Sequence, residues 1–135
     1  MKVLLIGATG NLGIRLVPAL LSHHHTVSVY VRSPPKLEFL LPASVFSQLR
    51  IFKGDATDSS AMQRAIINSD CDAVVTAAGV AAVAPWAKSD LPTIFRAVAD
   101  AVVLAGKERG RPLRTWFLGG QSVLYVPGTE TYVSN

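Results

Sequence analysis

The stretch LLIGATGNLG, residues 4–13, sets an apolar run directly against three glycines, Gly7, Gly10 and Gly13. Glycine loses more conformational freedom on folding than any other residue, so three of them in one turn need a structural reason. Their flanks supply it. Val3 to Ile6 is continuously apolar, as a strand buried on both faces is. From Leu12 to Leu21 the apolar residues take helical spacing, with Leu12, Leu16, Ala19 and Leu20 on one face. Pro18 lies inside this run and is expected to bend or shorten the helix, because it removes a backbone donor. The glycines therefore fall where a strand turns into a helix.

The same alternation continues along the chain. VSVYV, residues 27–31, reads as a second strand, and SPPKLEFLLP holds a short helix opened by Pro35 and closed by Pro42. RIFK, residues 50–53, is a third strand before GDATD. A helix follows, with Ser60 and Gln63 at capping-box spacing and Met62, Ile66 and Ile67 as apolar positions. AVVTA, residues 73–77, is the fourth strand. The next helix keeps its period without a miss through Leu91, Ile94, Phe95, Val98, Ala101, Val102 and Ala105. Asp90 can cap its start and Gly110 can end it. TWFL, residues 115–118, is the fifth strand. Strands alternating with helices call for an α/β fold, a doubly wound parallel sheet of about five strands with helices on both faces; for a Rossmann-like sheet the usual order is 3-2-1-4-5.

Length and composition agree with one domain over residues 1–135. Half of the residues are hydrophobic and 16% are charged, which supports a sizeable core and argues against disorder. No apolar run approaches the roughly 18 residues of a membrane helix, and the start lacks the form of a secretory signal, so no membrane partner is expected. The single cysteine, Cys71, cannot form an internal disulfide and suits a reducing, cytoplasmic location. It precedes a buried strand without a His or CxxC partner and reads as a structural thiol. The net charge of +4 is scattered. Its densest cluster, Lys107, Arg109, Arg111 and Arg114, sits at and beyond a helix end, where cations complement the helix dipole. A solvated helix end is the expectation there, not a nucleic-acid surface.

At the junction of a strand and a helix, each glycine has a task. Gly7 permits a tight turn, Gly10 lets the backbone approach a pyrophosphate, and Gly13 lets the helix pack close to the strand. The amides of Gly10, Asn11 and Leu12 at the helix start can bind phosphate oxygens. A dinucleotide is thus the expected ligand. An NAD site carries an acidic residue about twenty residues beyond the glycines, on the ribose 2′-hydroxyl. Here that position is Arg32, at the tip of the second strand. A guanidinium can hold a 2′-phosphate through two parallel hydrogen bonds, and Ser33 and Lys36 add a hydroxyl and a second cation. The expectation is NADP over NAD.

GATGNLG has the spacing G-x-x-G-x-x-G. It resembles the turn of the extended and atypical short-chain dehydrogenase/reductases, especially the NmrA-like group of NAD(P)-binding proteins. The likeness extends to VRSPPKL after the second strand, GDATD after the third and TAAG after the fourth. It implies that Asp55 accepts from the adenine amino group and that Ala56 lies along the ring. Ala77, Ala78 and Gly79 are small either because the chain passes the ribose closely or because helices pack there. The cofactor set is then Gly7, Thr9, Gly10, Asn11, Leu12, Gly13, Arg32, Ser33, Lys36, Asp55, Ala56, Ala77, Ala78 and Gly79.

A finished active site is harder to find. Short-chain reductases carry a Ser after the fifth strand and a Tyr-x-x-x-Lys downstream. Ser122 stands near the first place, but neither Tyr125 nor Tyr132 has a lysine after it, and the last lysine is Lys107. His23 to His25 close a helix, and three consecutive imidazoles cannot converge on one ion from a regular helix, so no metal is expected. A domain of this family continues to a sixth strand and a substrate-binding region, which are expected to be absent. Two functions fit: the cofactor domain of an NmrA-like reductase with an incomplete catalytic region, or a non-catalytic redox sensor acting through a partner protein. In either case the fifth strand becomes an apolar edge, which invites a homo-oligomer or another partner unless the tail from Gln121 to Asn135 folds back and shields it.

Overall fold

The computed structural model describes residues 1–78, 91–118 and 128. Within them lie β1 (Lys2–Ile6), α1 (Gly13–Ser22), β2 (Thr26–Val31), α2 (Pro34–Leu40), α3 (Ala43–Phe46), β3 (Arg50–Lys53), α4 (Ser59–Ser69), β4 (Ala73–Thr76), α5 (Leu91–Arg109) and β5 (Arg114–Phe117). The five strands form one sheet in the order β3-β2-β1-β4-β5, and every pairing is parallel. Gly79, Asp90, Ser122, Tyr125 and Tyr132 lie outside the described residues.

Successive residues of a strand point to opposite faces, and here both faces are covered. Leu4, Ile6, Tyr30 and Val74 pack on one side with Met62 and Ile66 of α4 and Val98 and Ala101 of α5. Leu5, Val27, Val29 and Val31 pack on the other with Val17 of α1 and Leu37 of α2. β1 is buried from Val3 onward, so its unbroken apolar run is that of a central strand.

Several helix details depart from the sequence reading. α1 buries Gly13 and Val17, with Ile14, Leu16, Leu20 and Leu21 packed against the core, whereas Leu12 and Ala19 face solvent. The stripe is rotated because Gly13, seated against the preceding turn, sets which face meets the sheet. Pro18 does not shorten α1. It lies on the exposed side, where water can hydrate the carbonyl it leaves unpaired. α2 begins at Pro34, one residue early, and Pro42 caps the unforeseen α3. α4 is capped by Asp58, whose carboxylate accepts from the Ala61 N–H at 3.0 Å, not by Ser60. Gln63 instead reaches across to Glu108 of α5 at 2.9 Å. On α5 the predicted stripe holds at Val98, Ala101 and Ala105, while Phe95 leaves the core to lie 4.5 Å from the Phe117 ring. Gly110 does end α5, at φ 69°. The Arg111 N–H reaches the Gly106 carbonyl and the Gly110 N–H that of Lys107, which is the Schellman arrangement.

The basic cluster at this end of α5 is not merely solvated. Asp70, in left-handed backbone at φ 51°, accepts from Lys2 at 2.8 Å, Arg111 at 2.9 Å and Arg109 at 3.3 Å. Arg109 also donates to the Cys71 carbonyl at 2.7 Å, and Asp72 accepts from the Lys2 N–H. These contacts tie β1, α4 and α5 together at the amino ends of the strands. The hydrogen bond and charge of Lys2, with Arg111 beside them, hold the Asp70 carboxyl below its ordinary value of 3.8. A carboxyl depressed by folding stabilises the fold above its unfolded pKa and loses that contribution as pH falls through the folded one. Asp70→Asn keeps a residue that tolerates this backbone. Its melting temperature should lie below wild type at neutral pH, and the gap should close as the pH drops below the carboxylate range. A gap that stays constant across that titration would remove Asp70 from the acid response.

Candidate functional site

The chain moves outward from β1 to β2 and β3, then returns to place β4 on the other side of β1. The order therefore reverses between β1 and β4, and in open parallel sheets ligands bind at the carboxyl ends of the strands at such a switch point. The glycine turn leaves β1 at this point. Gly7 has φ 85°, and a Cβ there would collide with the backbone of Ala77 and Ala78 at the end of β4. Main chain meets main chain at that point. A Cβ on Gly13 would fall on the Gly7 carbonyl oxygen, so the third glycine brings α1 down on the turn as its position suggests.

Gly10 differs from both. Its φ is not positive, and among the described residues a Cβ on it would meet only the Gly7 carbonyl oxygen, at an ordinary 3.5 Å. Among the described residues nothing requires a glycine here. The Gly10 N–H donates to the Gly7 carbonyl at 3.2 Å, so it is not one of the unpaired donors. The N–H groups of Asn11, Leu12 and Gly13 have no backbone acceptor among the described residues. The donor set is shifted by one residue from Gly10–Leu12 to Asn11–Gly13. Such amides, at the positive end of a ten-residue helix, can bind an anion.

Arg32, Ser33 and Lys36 follow β2 and are all exposed. Ser33 is the N-cap of α2, yet its hydroxyl makes no capping bond. Among the described residues Arg32 makes no hydrogen bond or ion pair, so its guanidinium is available. It lies near enough to Asp55, after β3, to affect it. The Asp55 carboxyl is lowered chiefly by the Thr57 N–H and hydroxyl, which reach its Oδ1 at 2.8 and 2.7 Å, and further by the Arg32 charge. Oδ2 is left without a partner among the described residues. Ala77 belongs to the core beneath α1, and Ala78 packs against the opposite one, so helix packing accounts for part of their small size. Thr9 is half-buried in the turn, and Ala56 is half-buried beside Asp55.

Three residues of this region escaped the sequence reading. The Tyr30 hydroxyl donates to the Asp55 carbonyl at 2.8 Å, and a Cβ on Gly54 would strike the Tyr30 ring. Thr57 fixes the Asp55 carboxylate. The one visible signal was a tyrosine within VSVYV, a phenol on a strand that is otherwise apolar or small.

Elsewhere, a hollow of about 480 Å³ lies along α5 beside Val102, Gly106, Lys107 and Leu113, and one of about 410 Å³ lies between α4 and α5. Neither is lined by a residue of the glycine turn. Cys71 is buried, burial pushes its thiol pKa up, and its Sγ lies 3.8 Å from the Ile66 carbonyl. His24 takes left-handed backbone at φ 61°, and the His25 Nδ1 lies 3.1 Å from the terminal amine. No group of metal-ligating side chains occurs among the described residues, and no helix there is long and apolar enough to cross a membrane.

A parallel sheet in this order, with a glycine turn entering a helix at the switch point, defines a Rossmann-type nucleotide-binding domain. Comparison with known proteins gives the family. The NAD(P)H-binding family profile matches residues 7–111, and the chain belongs to that family. No curated protein matches it by sequence. Among solved structures, it is 26% identical to the Bordetella bronchiseptica enzyme WbmG in complex with NAD, with a TM-score of 0.63 over 78% of this chain. It also resembles serine dehydrogenase from Escherichia coli, at 20% identity and TM-score 0.71 over 90% of this chain. An oxidoreductase of the short-chain dehydrogenase/reductase family from Burkholderia thailandensis shows 22% identity and TM-score 0.70 over 93% of this chain. The latter two likenesses concern the fold. The chain spans 34%, 63% and 54% of those three proteins respectively.

Proposed function

We propose that the chain binds NADP(H) and forms the cofactor-binding part of an NmrA-like atypical short-chain reductase. The observation that carries this reading is the row of amides at Asn11, Leu12 and Gly13, unpaired among the described residues, beside a Gly10 that those residues leave uncrowded. In this reading Gly7, Thr9, Gly10, Asn11, Leu12 and Gly13 surround the pyrophosphate. Arg32, Ser33 and Lys36 receive the 2′-phosphate, Asp55 and Ala56 meet the adenine, and Ala77, Ala78 and Gly79 border the ribose. A bound nicotinamide would supply hydride chemistry; the residues named here bind and orient. Calorimetric titration tests the cofactor choice, with NADPH expected to bind at least about tenfold tighter than NADH, the equivalent of about 1.4 kcal/mol. WbmG holds NAD in its crystal complex, which makes NADH the informative competitor. Equal affinities would overturn the preference.

The second reading is a non-catalytic redox sensor that acts through a partner protein. NADPH oxidation over a panel of aldehydes, ketones and enones separates the two. Both readings share a proposed contact surface at β5, which pairs only with β4 among the described residues. Trp116, on the less covered side of that strand, is 54% exposed and Leu118 is 48% exposed. Backbone that is unpaired among the described residues, with apolar side chains at the same edge, favours strand pairing with another chain. Sedimentation at micromolar concentration should show self-association, and a clean monomer would exclude it.

A further inference from the structure

β2 alternates strictly. Val27, Val29 and Val31 point toward α1, while Tyr30 points the other way, between its register partners Ile6 of β1 and Phe52 of β3. The ring is 3% exposed, so its hydroxyl needs an acceptor inside the protein. It finds the Asp55 carbonyl at 2.8 Å, which also accepts the Asp58 N–H at 3.0 Å. One residue earlier, the chain passes so close to the ring that a Cβ on Gly54 would lie 2.5 Å from its Cζ. The ring thus supports the loop from below, and the hydroxyl holds it at Asp55. From that anchored backbone, Thr57 turns the Asp55 carboxylate so that Oδ1 is occupied and Oδ2 is left.

We infer that Tyr30 is a positioning residue for base recognition: through the Asp55 carbonyl it sets where the Asp55 carboxylate stands, and hence the choice of purine. This rests on the proposed role of Asp55 toward adenine. A carboxylate accepts from the 6-amino group of adenine but repels the 6-oxygen of hypoxanthine, so its placement reads the base at that one atom. Burial and the neighbouring charges of Asp58 and Asp55 push the Tyr30 hydroxyl pKa up to about 12, so the phenol remains a donor throughout the working range.

The test compares adenosine 2′,5′-bisphosphate with inosine 2′,5′-bisphosphate by calorimetry, on the full chain and on Tyr30→Phe. That substitution keeps the ring under Gly54 and removes only the hydroxyl. Wild type should prefer the adenosine ligand by about five- to tenfold, the scale of one hydrogen bond. Tyr30→Phe should reduce this preference to less than about twofold, with the inosine ligand binding as before. A variant that keeps the full preference overturns the inference, and so does a uniform loss for both ligands, which a merely structural role would produce. A wild type that binds both equally removes Asp55 from base recognition and the inference with it. A wild type that binds neither overturns the proposed cofactor site itself.

Discussion

Gly10→Val should abolish dinucleotide binding and leave the fold intact. The two halves of that result have separate causes. Among the described residues a Cβ at Gly10 touches only the Gly7 carbonyl oxygen, at 3.5 Å, and the residue needs no left-handed backbone. The free protein should therefore lose no more than about 0.5 kcal/mol, as at an ordinary surface position. A branched side chain would, however, fill the space beside the unpaired amides where a pyrophosphate approaches. Gly13→Ala supplies the contrast. Its Cβ lands on the backbone of the preceding turn, which cannot move without shifting Gly7 against β4. Destabilisation of about 3 kcal/mol or more is expected, beyond ordinary overpacking because the obstacle is main chain. Calorimetry and thermal melting on both variants check the pair. Unchanged affinity in Gly10→Val would sink the phosphate seat.

Arg32→Asp should weaken NADP binding by about 2 to 4 kcal/mol while NAD changes far less or gains slightly. The substitution removes a charge-assisted partner of the 2′-phosphate and puts a repelling carboxylate in its place. The fold has little stake in Arg32, which is exposed and bonded to nothing among the described residues. A second signature accompanies the first. The Arg32 charge helps to hold the Asp55 carboxyl low, so Asp55 should titrate at a higher pH in the variant. Equal losses for both cofactors would show that Arg32 does not read the 2′-phosphate.

The positions of all five strands were legible because each is a short apolar run bounded by glycine, proline or charge, and their order is the usual one for a sheet of this kind. β3 matches residue for residue, and the others shift by one residue at an end or at both. The glycines were legible because Gly7 and Gly13 answer backbone contacts that only glycine allows. What sequence periodicity could not give was rotation and partner choice. Leu12 belongs to the apolar stripe on a helical wheel, yet Gly13 decides which side of α1 meets the sheet. Ser60 and Gln63 have capping-box spacing, yet Asp58 lies where the helix actually begins. The Tyr30 hydroxyl and the Asp55 carbonyl are twenty-five residues apart and meet only because β2 and β3 are neighbours. A contact of that kind leaves no local trace. The basic cluster misled for the same reason, since its acceptor, Asp70, sits at the end of another helix.

The contact of Gly7 with the β4 backbone bears on how this protein can change. A seat walled by peptide groups offers no side chains to adjust, so substitution can spoil it but can scarcely grade it. On the proposed reading selectivity lies elsewhere, on the loops that follow β2 and β3, with Arg32 exposed and Asp55 held from below by the Tyr30 hydroxyl. The two tasks are therefore modular. If the proposed reading holds, exchanging the exposed side chains of Arg32, Ser33 and Lys36 would alter cofactor preference without repacking a buried residue.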